Sequence, residues 1–284
     1  MRAVVRHNES TVADKVHPDA PHGNELLKTS LRLLADILLP LCGFATVIGV
    51  WYATWLSGFV SRRLLPRPDQ VVAEFWVQLT TGELYLDVLV SVGRVIGGVL
   101  IGSALAIPIG VLLAWYPKAN KMFAPIINFF RSIPPIALTP LVIVYLGIGE
   151  SARISILIYA AFFTSVIVIF EGVSALEDIY VRAGRVLGAT ESEIFRRIVI
   201  PLVIPQIFVA LRISIGLSWA TLVAAELLAA TNGLGAVIQN AGNFFDIPRI
   251  YVGITCIGII ALLMDFGVRK IMARAVQWQE RVSR

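Results

Sequence analysis

Charge is scarce in this chain. Asp, Glu, Lys and Arg together make up 15% of its 284 residues, against about 25% in a soluble domain. With 57% hydrophobic residues, a core in water would leave large apolar patches exposed. That excludes an ordinary soluble domain. Cysteine is almost absent: Cys42 and Cys256 both sit in apolar runs, which rules out a disulfide framework and a zinc site. Histidine occurs only at His7, His17 and His22, all in the polar N-terminal stretch. No H-E-x-x-H, no Ser/His/Asp arrangement and no metal-ligand cluster occurs, so enzyme chemistry is not expected. No G-x-x-x-x-G-K-[ST] occurs either, so the chain has no loop to cradle phosphates. It is not expected to hydrolyse ATP or to hold a cofactor by itself.

What the chain has is long apolar runs. A bilayer-crossing helix needs about 20 mostly apolar residues, and six regions qualify: roughly 33–57, 88–114, 124–147, 152–173, 203–228 and 250–268. The fold class is an all-α polytopic membrane protein. In the third region Pro134-Pro135 and Pro140 remove backbone donors and kink the helix. Bilayers accept that only where neighbours re-satisfy the freed groups, so this span belongs inside a bundle. Between the first two spans, Val71, Val72, Phe75, Trp76 and Leu79 recur at helical spacing, the pattern of an amphipathic helix at the interface.

Basic residues set the orientation. With the N-terminus inside, the inner segments hold sixteen of the 24 Lys and Arg residues and the outer segments five. The other three, Arg94, Arg131 and Arg212, fall within spans. The bias puts both termini in the cytoplasm. It also accounts for the net charge of +5 without any nucleic-acid partner. Residues 1–30 mix acidic and basic side chains, lack the apolar core of a signal peptide, and read as a polar cytoplasmic tail. Residues 31–284 read as a single transmembrane domain.

One stretch breaks the apolar pattern: VRAGRVLGATESEIFRRIVIPLVIP, Val181 to Pro205. Charge counting places it in the cytoplasm, within a loop of about 174–201. Gly188 has the character of a helix stop. Thr190 and Glu193 match the capping box T-x-x-E. Ile194, Phe195 and Ile198 supply an apolar face, and Arg196 and Arg197 supply charge. Pro201 and Pro205 mark the return to the membrane. The predicted object is helix, sharp turn, short capped helix and new span, with Phe195 exposed at its tip for insertion into a soluble partner. The alternative is an ordinary basic interfacial loop.

This block resembles the cytoplasmic EAA loop of ABC importer permeases, which carries the helix that couples to the ATPase subunit. Ala183, Gly188, Ala189, Ile198 and Pro201 are in register with that pattern. Arg182 stands where it has glutamate, Gly184 where it has the second alanine, and Ile200 where leucine is usual. The resemblance extends over SVGRVIGGVLIGSALAIPIGVLLAW (91–115), RSIPPIALTPLVIVYLGIGESARI (131–154) and SWATLVAAELLAATNGLG (218–235). These are similar to the branch importing taurine, other sulfonates, nitrate and bicarbonate, and the third is most similar to taurine permeases. The resemblance implies the fold of a type I ABC importer permease in a bacterial inner membrane. It implies a second permease copy, two ATPase subunits that bind the ATP and magnesium, and an extracytoplasmic binding protein. The coupling residues it implies are Ala183, Gly188, Ala189, Thr190, Glu193, Phe195, Arg196, Arg197 and Pro201.

Gly98, Gly102, Ala106 and Gly110 recur every four residues on the second span, as do Gly216, Ala220 and Ala224 on the fifth. Such ladders let helix backbones approach closely, either within the chain or between copies. Intramembrane charges are candidate sites by default. Arg94 and Arg212 could draw an anion through the guanidinium fork, or snorkel to an interface. Arg131 reads as a cytoplasmic-side anchor. Glu226 needs a partner or water. It lines an outer gate, meets the binding protein, or forms a structural ion pair. Ser218, Trp219 and Thr221 either line the route or pack. The reading is a transport subunit for a small anion, a sulfonate first and an organic carboxylate or nitrate-like anion second. The competing classes are an ATP-independent secondary transporter and a membrane assembly protein.

Overall fold

A computed structural model of the chain describes residues 22–175, 178–229 and 231–276. The described residues are almost wholly helical. They fall into two compact units, one ending at Val60 and one running from Ser61 onward. The first unit contains α1 (His22–Ser57), whose apolar part is Leu38–Ser57. Most of the expected polar tail lies outside the described residues.

The second unit starts with α2 (Pro68–Thr81), the amphipathic helix anticipated between the first two spans. Pro68 occupies the first turn, where its missing N–H costs nothing, and the Arg67 N–H donates to Gln70 Oε1 at 3.0 Å. α3 (Glu83–Trp115) crosses to the inner side. α4 (Pro117–Arg131) follows at once. After a 3₁₀ turn at Pro135–Leu138 comes α5 (Thr139–Leu146). The axes before and after the break differ by 80°, so the Pro134-Pro135 pair acts as a corner rather than a mild kink. Tyr159 Oη donates to the Phe130 carbonyl at 2.5 Å, which also accepts from the Ile133 N–H at 3.1 Å, so α6 is tied to the end of α4 at the corner.

α6 (Glu150–Ser174), α9 (Ile200–Ala229) and α11 (Ile247–Ala275) are the remaining long helices. α7 (Asp178–Val186) and α8 (Glu191–Ile194) lie between α6 and α9, and α10 (Leu234–Asn243) lies between α9 and α11. Among the described residues, five helices are long and apolar enough to cross a membrane, or six with the bent α4–α5 pair as one.

α3, α6 and α9 form the centre. The glycine ladder on α3 is an intramolecular seam: a Cβ at Gly102 would sit 2.6 Å from the Ile158 carbonyl oxygen, and one at Gly110 would sit 3.0 Å from Ile169 Cβ. The second ladder differs, because nothing lies within 4 Å of a Cβ at Gly216 and Ala220 is exposed. Three buried serines stitch the centre together. Ser103 Oγ lies 2.9 Å from Ser165 Oγ, which lies 3.0 Å from Ser214 Oγ. The three hydroxyls join α3, α6 and α9, and each finds in its neighbour the partner that lipid cannot supply.

Candidate functional site

Two constellations stand out, one at each end of α9. At the inner end, α7 stops at a turn where Gly188 adopts φ +81°, a conformation that a side chain disfavours. The Ala189 N–H closes the turn on the Gly184 carbonyl at 3.0 Å. The capping box forms as its spacing indicates: the Glu193 N–H donates to Thr190 Oγ1 at 3.3 Å, and the Thr190 N–H donates to Glu193 Oε2 at 3.0 Å. Arg185 grips Glu191 across the turn through Nε at 2.8 Å and Nη2 at 3.3 Å. Such forked pairing fixes orientation as well as distance. Gly184 also has a local reason. A Cβ there would lie 3.0 Å from Ile198 Cδ1 and 3.2 Å from Ile194 Cγ1.

Two expectations for this loop change. Pro201 does not mark a break, because helix runs without interruption from Glu191 through α9 to Leu227. Residues Phe195–Val199 form a π turn, in which the Ile200 N–H reaches back five residues to the Phe195 carbonyl. The widened turn shifts the hydrogen-bond ladder just before a residue that has no donor to offer it. Phe195 is not the exposed tip either. It is half-buried, with its ring edge-on to Trp115 at 5.5 Å between centroids, beside a cluster including Val111, Ile169 and Val203. The apolar tip is Val186 and Leu187, each 86% exposed. Ala183, Thr190, Glu193, Arg196 and Arg197 are exposed around it, and Ala189 is half-buried. The pair Val186-Leu187 directly before a glycine stop, after the charged run of α7, is the signal that could have pointed to the tip.

At the outer end lies a buried polar cluster. Arg94 of α3 donates through Nη1 to Glu226 Oε1 of α9 at 2.6 Å, and through Nε to Glu150 Oε2 of α6 at 2.7 Å. Arg153 adds a bond to Glu150 Oε1 at 2.9 Å. Glu226 also accepts from Ser91 Oγ at 2.9 Å and from the Gly235 N–H at 2.8 Å. The Asn232–Gly235 turn is held on the same framework. Its Gly233 N–H donates to Asp87 at 2.6 Å, the Leu234 N–H to Ser91 Oγ at 2.9 Å, and the Asn232 carbonyl accepts from Arg94 at 2.8 Å. Gly233 has φ +119°, and a Cβ there would lie 2.7 Å from Arg94 Nη1. Glycine is therefore required both for its conformation and for the close approach.

The five residues anticipated along the pathway are all buried within this chain: Arg94, Ser218, Trp219, Thr221 and Glu226. Arg94 and Glu226 meet as the ion pair. Thr221 Oγ1 donates to the Leu217 carbonyl at 2.9 Å. Ser218 Oγ and Trp219 Nε1 have no hydrogen-bond partner among the described residues. Arg212 pairs with Asp265 of α11 at 2.6 Å, which ties α9 to α11.

The family described as "Binding-protein-dependent transport system inner membrane component" matches residues 106–277. A protein of Brucella abortus (strain 2308), named a probable ABC transporter permease, is 42% identical over 87% of this chain and 98% of its own length. The taurine transport system permease protein TauC of Escherichia coli (strain K12) is 32% identical over 90% of this chain and 95% of its own. The nitrate import permease NrtB of Synechococcus elongatus is 28% identical over 80% and 87%. The fold is that of a solved inward-facing MetNI methionine ABC transporter chain, with TM-score 0.62 and 22% identity over 70% of this chain and 98% of that one.

Proposed function

We propose, starting from the fact that this chain belongs to the binding-protein-dependent transport system inner membrane components, that it moves a small sulfonate such as taurine through an ATP-binding-cassette importer. The chain is a multi-pass inner-membrane transport subunit, like its relatives, rather than an enzyme. The finer reading has four parts. Two copies form the pathway. Two ATPase subunits, which carry the ATP and magnesium, dock on the loop around Gly188. An extracytoplasmic binding protein delivers the solute to the outer face. ATPase closure moves the loops, and the helices carry that motion outward.

The observation that carries the reading is the continuous helix from Glu191 to Leu227. It begins at the exposed cytoplasmic turn and ends at the buried cluster that holds the outer Asn232–Gly235 turn. A rigid element linking the two ends can transmit displacement. On this reading Arg94 and Glu226 position the outer turn. Solute passes along the exposed Gly216–Ala220 face of α9, with Ser218, Trp219 and Thr221 shaping it from behind. Ala183, Gly188, Ala189, Thr190, Glu193, Phe195, Arg196, Arg197 and Pro201 build or surround the docking element. Taurine is favoured because TauC is among the most similar relatives of stated substrate, with the SsuC sulfonate permeases beside it.

The test is co-purification followed by uptake. Leu187→Asp places a charge at the exposed tip and is expected to abolish ATPase association while membrane insertion stays normal. Charge reversal at Arg196 and Arg197 is expected to weaken it. Undiminished ATPase recovery with Leu187→Asp rejects the docking role. ATP-dependent taurine uptake by the reconstituted complex tests the solute.

A further inference from the structure

α5 is held to the rest of the bundle at few points. Thr139 is its one buried residue, 2% exposed, whereas Leu141, Val144, Tyr145 and Leu146 are exposed. Thr139 lines a small cavity of about 10 Å³ where α5, α6 and α9 meet. Ile143, Ile156 and Ala225 close it with apolar surface, and Gly149, Ala152 and Arg153 bring the first turn of α6 to its wall.

Two polar demands meet there. Thr139 Oγ1 is buried and has no hydrogen-bond partner among the described residues. Across the cavity, α6 begins after Gly149 with no side-chain cap. The Arg153 N–H opens its ladder, donating to the Gly149 carbonyl at 3.4 Å. The N–H groups before it are the orphans that every helix start leaves. A buried hydroxyl and uncapped amides each cost free energy until they are paired.

Size and charge narrow what can pair them. The volume is that of one water-sized group, too small for a sulfonate, a phosphate or a lipid headgroup. Charge does not call for an ion. Arg153, 8% exposed, donates to Glu150 Oε1 at 2.9 Å, and across the cluster Arg94 and Arg153 are matched by Glu150 and Glu226. A cavity with purely apolar walls stays dry, but one offering two to four polar partners holds a water.

We infer that one ordered water occupies this joint, accepting from an N–H of the first turn of α6 and donating to Thr139 Oγ1. The water caps α6 and gives α5 its polar attachment, next to the cluster that holds the outer turn. Because α5 lies beyond the 80° corner, the bent half of the broken span is fixed to α6 through a water. The inference is independent of which solute is carried.

The test joins a cryo-electron map of the permease–ATPase complex, at a resolution that shows buried waters, to unfolding of the full-length permease in mixed micelles. The wild-type map is expected to show density within hydrogen-bonding distance of Thr139 Oγ1 and of the first turn of α6. Thr139→Ser keeps the hydroxyl and should keep that density. Thr139→Val keeps the shape, should lose the density, and should lower the folding equilibrium constant about fivefold, the worth of one hydrogen bond. If the joint is dry, a methyl in place of an unpartnered hydroxyl is neutral or stabilising. That result overturns the inference, as does a wild-type map that shows other buried waters and none here. The wild-type map decides alone if Thr139→Val does not fold. Replacing chloride by gluconate at constant ionic strength separates a water from a small anion. A stability loss of about threefold or more in wild type, absent in Thr139→Val, assigns the joint to an anion and the inference fails.

Discussion

Replacing Glu226 by glutamine preserves the shape of the side chain and removes its charge. In the native cluster its two oxygens accept from Arg94, Ser91 and the Gly235 N–H, and its side chain is 0% exposed against 3% for Arg94. A glutamine has one acceptor oxygen, and its NH₂ must face one of those donors. Arg94 still keeps Glu150, whose side chain is 56% exposed, so the guanidinium is not stranded. Glu226→Gln is therefore expected to cost about 1.5–3 kcal/mol, the range for a lost hydrogen bond to a charged group. Arg94→Met is the harsher change, because a carboxylate with no exposure loses its cation. About 3–5 kcal/mol is expected, as for breaking a buried pair from one side. The double variant should cost less than the sum by about 1.5 kcal/mol or more. The assay is unfolding of the purified permease in mixed micelles by added denaturing detergent, for wild type, both single variants and the double. Backbone hydrogen exchange at Gly233 and Gly235 reports the cluster locally, where a loss of 1.4 kcal/mol appears as about tenfold faster exchange. Additivity within about 0.5 kcal/mol, with unchanged exchange at both glycines, refutes the claim that this pair holds the outer turn.

Further changes probe other parts of the chain. Gly102→Val pushes a branched side chain into the Ile158 carbonyl and Ala161 and is expected to cost about 1–3 kcal/mol or more in the same unfolding assay. Gly216→Ala, with open space around it, should leave stability near wild type. Thr190→Ala removes the cap of α8 and should cost about 1 kcal/mol locally, read as faster exchange at the Glu193 amide with the transmembrane helices unaffected. Ser165→Ala breaks the middle of the serine stitch and should cost only about 0.6 kcal/mol, the average for interhelical hydrogen bonds in membranes.

Hydropathy reveals the spans because the bilayer demands about 20 apolar residues in a row, and the structure returns five of those regions as continuous helix and the third as a pair bent by 80°. The corner at Pro134-Pro135, the Gly188 stop and the Thr190–Glu193 cap were also legible, since each depends on residues within a few positions of one another. Phe195 was misplaced for a definable reason. Ile194, Phe195 and Ile198 do share one apolar face, but that face packs on the chain's own core, and the ring meets Trp115, a residue far away in sequence that no local pattern points to. The Arg94–Glu226 pair joins residues 132 positions apart. The sequence marks each as a costly intramembrane charge but holds no local sign that the two meet. The same distance hides the serine stitch, whose members lie 62 and 49 positions apart.

The π turn at Phe195–Val199 also separates chain length from facing. It takes up one extra residue within about one turn of helix, whereas the same residue added to a regular helix would rotate everything before it by about 100° and push it out by about 1.5 Å. Deleting one residue within 195–199 would let the ladder close as ordinary α-helix and leave the Gly188 turn facing nearly the same way. Deleting one residue from the regular helix that follows would instead swing that turn by about 100°. The cap, the Arg185–Glu191 grip and the Val186-Leu187 tip would survive either deletion, yet after the second they would address a different quadrant of the cytoplasm. Aim and adhesion are thus written in separate segments of the chain, and one can be altered without touching the other.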